Sequence, residues 1–359
     1  MKFNSVQEII AAIRPVDGAW LEKARARTAQ LVMPPRALGR LHDLAERCCA
    51  IQETLQPSLE SKAVAVMAGD HGIAAEGVSA FPQEVTGAMV RTFLTGGAGI
   101  NAIARHAGAQ VWVVDMGIIP QIDPREISGG HQLKVSKIGP GTASFLRGPA
   151  MTRAQAEAAV MAGFGHAAEL FQGGVQILGT GDMGIANTTP SAAIGAVVTG
   201  ACLDDMVGRG TGIDAQGLSH KKEVIARGIE LNQPDAGDGL DLLTKLGGFE
   251  IGGIAGLILA GAHFRRPVVV DGLISTAGAL IAHLLCPTVD DYLFAGHQSE
   301  EPGHRIMLRH LGLAPILDLG MRLGEGTGGV LAMTVMQAAV RMFNEVMTFA
   351  EAGVAEKER

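Results

Sequence analysis

GVQILGTGDMGIANTTP, residues 174–190, is the stretch whose reading decides the fold. An apolar run, residues 174–182 in all, ends in a glycine-rich bend that carries one carboxylate, Asp182. The polar triplet Asn187-Thr188-Thr189 then leads into Pro190. Thr188 or Thr189 can cap a helix, and Pro190 suits its first turn. A helical window over 190–206 follows. The unit is therefore strand, glycine loop, helix.

The same texture recurs on both sides. KAVAVMAGD (62–70), AQVWVVDMG (109–117), RRPVVVDG (265–272) and APILDLG (314–320) are short and nearly all apolar. Strands buried on both faces read this way. Helical windows at 84–107, 152–171, 250–262 and 276–285 alternate with them. The pattern predicts an α/β fold, a parallel sheet covered by helices on both faces. Residues 5 to about 60 read as helices instead, broken at Pro15 and at Pro34-Pro35, with two of them near 18–31 and 38–55. The last window, 327–350, reads as one long helix with Leu331, Val335, Ala339, Met342, Val346 and Phe349 on a single face. Its methionines read as packing. Docking with the N-terminal helices as a second lobe, or at a subunit interface, is expected of it.

Bulk composition narrows the function. The 359 residues include 49 glycines and are 47% hydrophobic but only 4% aromatic. That balance suits close helix-on-sheet packing and backbone-lined loops. A net charge of −7 argues against a nucleic-acid partner. The four cysteines have no zinc spacing and read as reduced thiols of a cytoplasmic protein. The N-terminus shows no long apolar core of a signal peptide, and no apolar stretch reaches the ~20 residues that span a bilayer.

In an open α/β sheet, ligands bind beyond the carboxyl ends of the strands. The loop after 174–182 can turn backbone N–H groups and a helix end toward an anion. A second glycine run, Gly208-Arg209-Gly210-Thr211-Gly212, can add more. Neither is a Walker A loop or a G-x-G-x-x-G fingerprint. Several glycine loops on one sheet edge favour a phosphorylated ligand. The fifth run leads into Arg322-Leu323-Gly324-Glu325-Gly326. As an N-terminal acid of the next helix, Glu325 would contribute only ~0.3–1 kcal/mol, and Ser or Asp would cap better. A glutamate between two glycines gains reach instead, so a general base is expected. Arg322 is its partner in sign. Asp70-His71 reads as a loop-ordering pair rather than as metal ligands. Asp115, His131, His297 and His304 complete no metal spacing either.

The ordered segments then identify a family. AGDHGIAAEGVSAFPQEVT (68–86), GTGDMGIANTTPSAAI (179–194), VGRGTGID (207–214), LGGFEIGGIAGLILAGA (246–262), HQSEEPGH (297–304) and MRLGEGTGGVLA (321–332) are the most distinctive. The chain resembles nicotinate-nucleotide–dimethylbenzimidazole phosphoribosyltransferases almost end to end. The resemblance implies displacement of nicotinate from C1′ of nicotinate mononucleotide by a flat aromatic base, with inversion, to give an α-ribazole phosphate. It implies a Rossmann-like large domain (61–326), a small helical domain from both chain ends (1–60 plus 327–359) and a homodimer without metal or cofactor. It makes Glu325 the catalytic base, with Asp182 the second catalytic acid residue. The ribose-phosphate side should include Gly184, Asn187, Thr188, Gly210, Lys221 and Ser299. The aromatic base should lie near Ser79, Phe81, Gln83 and Leu323, with Arg322 and Gly324 completing the bend. The family pattern is commonly G-E-M-G-I-G-N-T-T. Here Asp182 is one methylene shorter than that Glu, and Ala186 replaces a glycine. Residues 35–39 read Pro-Arg-Ala-Leu-Gly in place of the common P-G-S-L-G. Two alternatives remain at this point: a nicotinamide-dependent oxidoreductase, and a non-catalytic nucleotide-binding protein.

Overall fold

The computed structural model describes residues 3–123 and 133–355. Three helices open the chain, α1 (Val6–Ala12), α2 (Gly18–Gln30) and α3 (Arg40–Gln52). The first two begin at short polar residues. Ser5 Oγ accepts the Glu8 N–H at 3.2 Å, and Asp17 Oδ1 accepts the Ala19 N–H at 2.9 Å.

Strand β1 (Lys62–Gly69) leads through a 3-10 turn at Gly72–Glu76 to α4 (Val85–Thr95) and α5 (Gly99–Ala107). The window 84–107 is therefore two helices, because Gly96 takes a left-handed φ of 81° and closes α4. Next come β2 (Ala109–Gly117), β3 (Leu133–Val135), α6 (Arg153–Gln172) and β4 (Ile177–Met183). Helices α7 (Thr188–Thr199), α8 (Leu203–Met206), α9 (Ala215–Asn232), α10 (Gly239–Leu246) and α11 (Phe249–His263) follow. The chain continues with β5 (Val268–Val270), α12 (Leu273–Leu285), a 3-10 turn at Pro287–Tyr292, β6 (Leu293–Ala295) and β7 (His297–Ser299). It ends with α13 (Pro302–His310), β8 (Leu317–Met321), α14 (Thr327–Glu345) and α15 (Phe349–Ala352).

Six strands form one sheet in the order β3-β2-β1-β4-β5-β6, and every pair is parallel. This is the doubly wound Rossmann order, with its switch point between β1 and β4. The expected parallel sheet flanked by helices is present, with one correction. The run at 314–320 forms β8, which lies outside that sheet and pairs with β7 in a parallel sheet of two. Leu319 there is 60% exposed, so the apolar run is not a doubly covered strand. The sixth place belongs to β6.

Helix α11 is buried from Phe249 to Ala262 and packs on α6. A Cβ on Gly163 would collide with the Gly253 carbonyl, so glycine on both helices permits the approach. This contact is one structural use of the high glycine content. Helix α14 packs on α5 and against β4 and β5, and also on α3, which in turn packs on α2. Its buried stripe is Val330, Met333, Met336, Val340 and Phe343, turned from the face expected from the sequence. Met333 and Met336 are core residues, whereas Met347 lies past the helix and is 57% exposed. No helix among the described residues is long and apolar enough to cross a membrane.

Candidate active site

A cleft of about 430 Å³ opens beside the carboxyl ends of β4 and β5, next to the switch point. Of the fourteen residues expected in the site, eleven line it: Phe81, Asp182, Gly184, Asn187, Thr188, Gly210, Ser299, Arg322, Leu323, Gly324 and Glu325. Ser79, Gln83 and Lys221 stand behind the wall. Ser79 Oγ lies 3.1 Å from Thr211 Oγ1, and Thr211 lines the cleft. Gln83 Nε2 donates to the His71 carbonyl at 3.2 Å.

Glu325 occupies a bend of three left-handed residues, Gly324 (φ 81°), Glu325 (φ 63°) and Gly326 (φ 90°). Glycine adopts this conformation freely, whereas Glu325 pays for its Cβ with roughly 1–2 kcal/mol of strain. The residue is 5% exposed, and its Oε2 accepts the Ile100 N–H of α5 at 2.9 Å. Burial pushes its carboxyl above the ordinary range. The Ile100 N–H draws it back, and the charge of Asp271 adds to the rise.

Helix α14, which starts just past this bend, is capped from elsewhere. Its N-cap Gly326 has no side chain, and Asp271, just after β5, takes its place. Asp271 Oδ2 accepts the Gly326 N–H at 3.1 Å, and Oδ1 accepts the Gly329 N–H at 2.8 Å. His297 Nε2 lies 3.5 Å from Oδ1.

Asp182 sits at the end of β4, 5% exposed. Burial, reinforced by the charge of Asp271, pushes its carboxyl up to about 8, against a 3.0 Å hydrogen bond from Asn187 Nδ2 to Oδ2. Oδ1 is buried without a hydrogen-bond partner. A Cβ on Gly324 would lie 3.3 Å from Asp182 Oδ2, so the two acid-bearing loops touch.

Polar groups gather at the start of α7. Lys221 Nζ donates to Thr188 Oγ1 at 2.7 Å, and burial lowers the ammonium to about 8. Glu301 lines the cleft and its Oε1 accepts the Gly210 N–H at 2.9 Å. The Ser299 N–H donates to His304 Nδ1 at 2.9 Å, and burial pushes His304 down to about 3, so its ring is neutral. Its Nε2 proton then faces Thr276 Oγ1 at 3.0 Å. The apolar part of the lining is Phe81, Val85, Met89, Met183 and Leu323. Val85 and Met89 stand one turn apart on α4, so their i,i+4 spacing after the 78–84 loop was the available signal. Glu301 lies in the HQSEEPGH segment, and only the fold brings it to the cleft.

Asp70 and His71 order loops, as expected. Asp70 Oδ2 accepts the Ile119 N–H at 2.7 Å, and His71 Nε2 lies 2.8 Å from Glu250 Oε1. Among the described residues no group of three or more His, Cys, Asp or Glu has a metal-holding arrangement. His131 lies outside the described residues.

The arrangement offers basic and amide groups, an apolar lining and two buried carboxyls in one cleft. A family model described as phosphoribosyltransferase matches residues 13–354. The chain is 51% identical, over 99% of both chains, to a nicotinate-nucleotide–dimethylbenzimidazole phosphoribosyltransferase of Geotalea uraniireducens. It is 53% identical to the enzyme of that name from Geobacter sulfurreducens, over 97% of this chain and 98% of the relative. A crystal structure of the Thermus thermophilus enzyme superposes with a TM-score of 0.88 at 44% identity, covering 95% of this chain and 100% of that one. The chain belongs to the nicotinate-nucleotide–dimethylbenzimidazole phosphoribosyltransferase family.

Proposed function

We propose that the protein transfers the phosphoribosyl group of nicotinate mononucleotide to 5,6-dimethylbenzimidazole or a related flat base. The C1′ centre inverts, nicotinate leaves, and α-ribazole 5′-phosphate forms for the nucleotide loop of cobalamin. The observation that carries this reading is Glu325, a buried carboxylate with one oxygen held by Ile100 in the wall of a cleft lined by both polar and apolar groups.

The 5′-phosphate sits at the start of α7, near Gly184, Asn187, Thr188, Gly210, Lys221 and Ser299. Free N–H groups, the helix end and the Lys221 ammonium favour it there. The aromatic base lies among Phe81, Met89, Met183 and Leu323. As one ring nitrogen attacks C1′, Glu325 takes the proton from the other. A carboxylate with a raised pKa suits that transfer. Nicotinate leaves from a pyridinium and needs little acid assistance. Asp182 faces the C1′ region. As the pyridinium ring of the nucleotide approaches, Asp182 releases its proton to solvent, and the carboxylate stabilises the oxocarbenium-like transition state. No cofactor takes part.

The same reading places the enzyme in the cytoplasm, where its four free cysteines stay reduced. It assigns 1–60 plus 327–359 to a small helical domain, supported by the packing of α3 on α2 and α14. It also makes the protein a homodimer, as the family resemblance implies. Light scattering should then return twice the 37.2 kDa chain mass. An oxidoreductase or a nucleotide sensor is less favoured, because the relatives are named for the transfer. The test is incubation of pure protein with nicotinate mononucleotide and 5,6-dimethylbenzimidazole without added metal. Nicotinate and α-ribazole phosphate should appear in equal amounts. Product with adenine or a phenol alone would move the substrate assignment, and no product with any base would remove the function.

A further inference from the structure

We infer that Asp271 is the positioning residue of this site: from just beyond β5 it clamps the glycine bend that carries Glu325, and so fixes where the reacting carboxylate stands. The kinetic part of this inference rests on the phosphoribosyl-transfer reading; the structural part rests on geometry alone.

Locally the Gly-Glu-Gly bend of three left-handed residues is closed by Thr327, whose N–H and Oγ1 donate to the Gly324 carbonyl at 3.1 and 2.9 Å, which leaves the Gly326 amide to be fixed from elsewhere. The helix behind it starts without a side-chain cap of its own, which leaves first-turn N–H groups to be satisfied from outside. Asp271 does both tasks. It is fully buried, and its two oxygens take one N–H on each side of the helix start, at Gly326 and at Gly329. Asp271 is itself anchored, its N–H donating to Thr180 Oγ1 of β4 at 3.3 Å. The His297 ring of β7 packs so closely on Gly328 that any side chain there would collide with it. Glu325 is thus gripped at its backbone by the sheet and at its carboxylate by α5.

The cap is a charged one, although an amide or hydroxyl could accept an N–H with less desolvation. The Gly326 and Gly329 N–H groups both donate to its oxygens and favour the ionised form, although burial pushes the carboxyl up. Its charge faces Asp182 on β4, Glu325 on the bend and His297 on β7, with Glu250 of α11 facing Asp182 as well. Negative charge at Asp271 therefore strengthens Glu325 as a base while the clamp holds it in place.

Asp271→Asn keeps the size, removes the charge and turns an NH2 group against one of the amides. Three readouts test it: amide hydrogen exchange of Gly326 and Gly329 in the ligand-free protein, kcat and KM for nicotinate mononucleotide, and the pH profile of kcat. Exchange at the two glycines should quicken. The kcat should fall on the order of 10²-fold, as for a misplaced reacting group, with KM little changed. The acidic limb of kcat should move to lower pH, because the charge that held the Glu325 proton is gone. Wild-type exchange and kcat in this variant would overturn the inference. A lower Tm with the acidic limb unmoved would also overturn it, since that is the signature of a merely structural cap. If the variant does not fold, the wild type decides: Gly326 and Gly329 amides exchanging as fast as that of the exposed Gly18 at the start of α2 would remove the clamp. The exchange experiment needs no turnover, so absence of ribosyl transfer would fail the functional reading and leave the clamp to be judged alone.

Discussion

Glu325 caps a helix that it does not precede: its Oε2 accepts the Ile100 N–H of α5 at 2.9 Å, 225 residues away in sequence. The helix that Glu325 does precede is capped by Asp271. Capping and chemistry are therefore compatible uses of one side chain, because a carboxylate has two oxygens. Glu325→Ala should cost about 0.5–2 kcal/mol, the usual loss for a removed cap. Glu325→Gln keeps an acceptor for Ile100 and should unfold near the wild type. Denaturant unfolding of both variants checks this. Equal loss in the two would mean that the hydrogen bond contributes nothing to stability.

Lys221 should set the affinity for the phosphorylated substrate. Its buried ammonium holds Thr188 and is lowered to about 8. Lys221→Met should raise KM for nicotinate mononucleotide on the order of 10–100-fold, the range for a lost charged hydrogen bond. In the wild type kcat/KM should fall as pH rises above about 8, where the free enzyme loses this charge. The methionine variant should lose that alkaline limb. Persistence of the limb would assign it to another group.

Asp182 makes stability depend on pH in a direction opposite to a salt-bridged acid. Its folded pKa of about 8 lies above the unfolded value of about 3.9. The native state thus holds the proton more tightly. The associated stability is full below about pH 4 and is lost as pH rises toward 8. Asp182→Asn removes the dependence while offering Asn187 the same acceptor. Its Tm should match the wild type near pH 4 and exceed it at pH 8, by about 1–4 kcal/mol in stability. Parallel Tm curves across that window would place the carboxyl in its ordinary range.

Ala186 carries a left-handed φ of 74° at 4% exposure, where the family pattern commonly has glycine. Ala186→Gly relieves roughly 1–2 kcal/mol of strain. It also gives up about 0.8 kcal/mol of methyl burial and about 0.4–1 kcal/mol through the freer unfolded chain. These terms nearly cancel, so near-neutral stability is expected. Ala186→Val adds a branched side chain to the same buried, left-handed site and should cost at least about 2 kcal/mol. Equal stability of the glycine and valine variants would show that the loop relaxes around either.

Strands β1, β2, β4 and β5 were legible because each lies in an apolar run that ends in glycine. Strands β3, β6 and β7 are as short as β5 but lie in mixed polar sequence. The run at β8 misled because Leu317 and Leu319 look like core while the strand lies in a small outer sheet. Helices α10 and α13, of eight and nine residues, and the weakly patterned α9 went unread for related reasons. Within the site, Glu325 and Asp182 stood out as acids in glycine bends. Ile100, which holds Glu325, and Asp271 with its neighbour His297, which hold the bend, come from other elements, and spacing along one chain carries no sign of such contacts. Ser79 and Gln83 lie in a segment that supplies Phe81 to the cleft, yet their side chains bind Thr211 and the His71 carbonyl.

The most direct measurement is the turnover of Glu325→Gln on nicotinate mononucleotide and 5,6-dimethylbenzimidazole, with ligand-induced thermal stabilisation recorded on the same sample. Loss of a general base predicts a kcat lower by ~10²–10⁴ with stabilisation by nicotinate mononucleotide retained. A kcat near that of the wild type, with the same stabilisation, would remove Glu325 from proton transfer and leave it only its cap on α5.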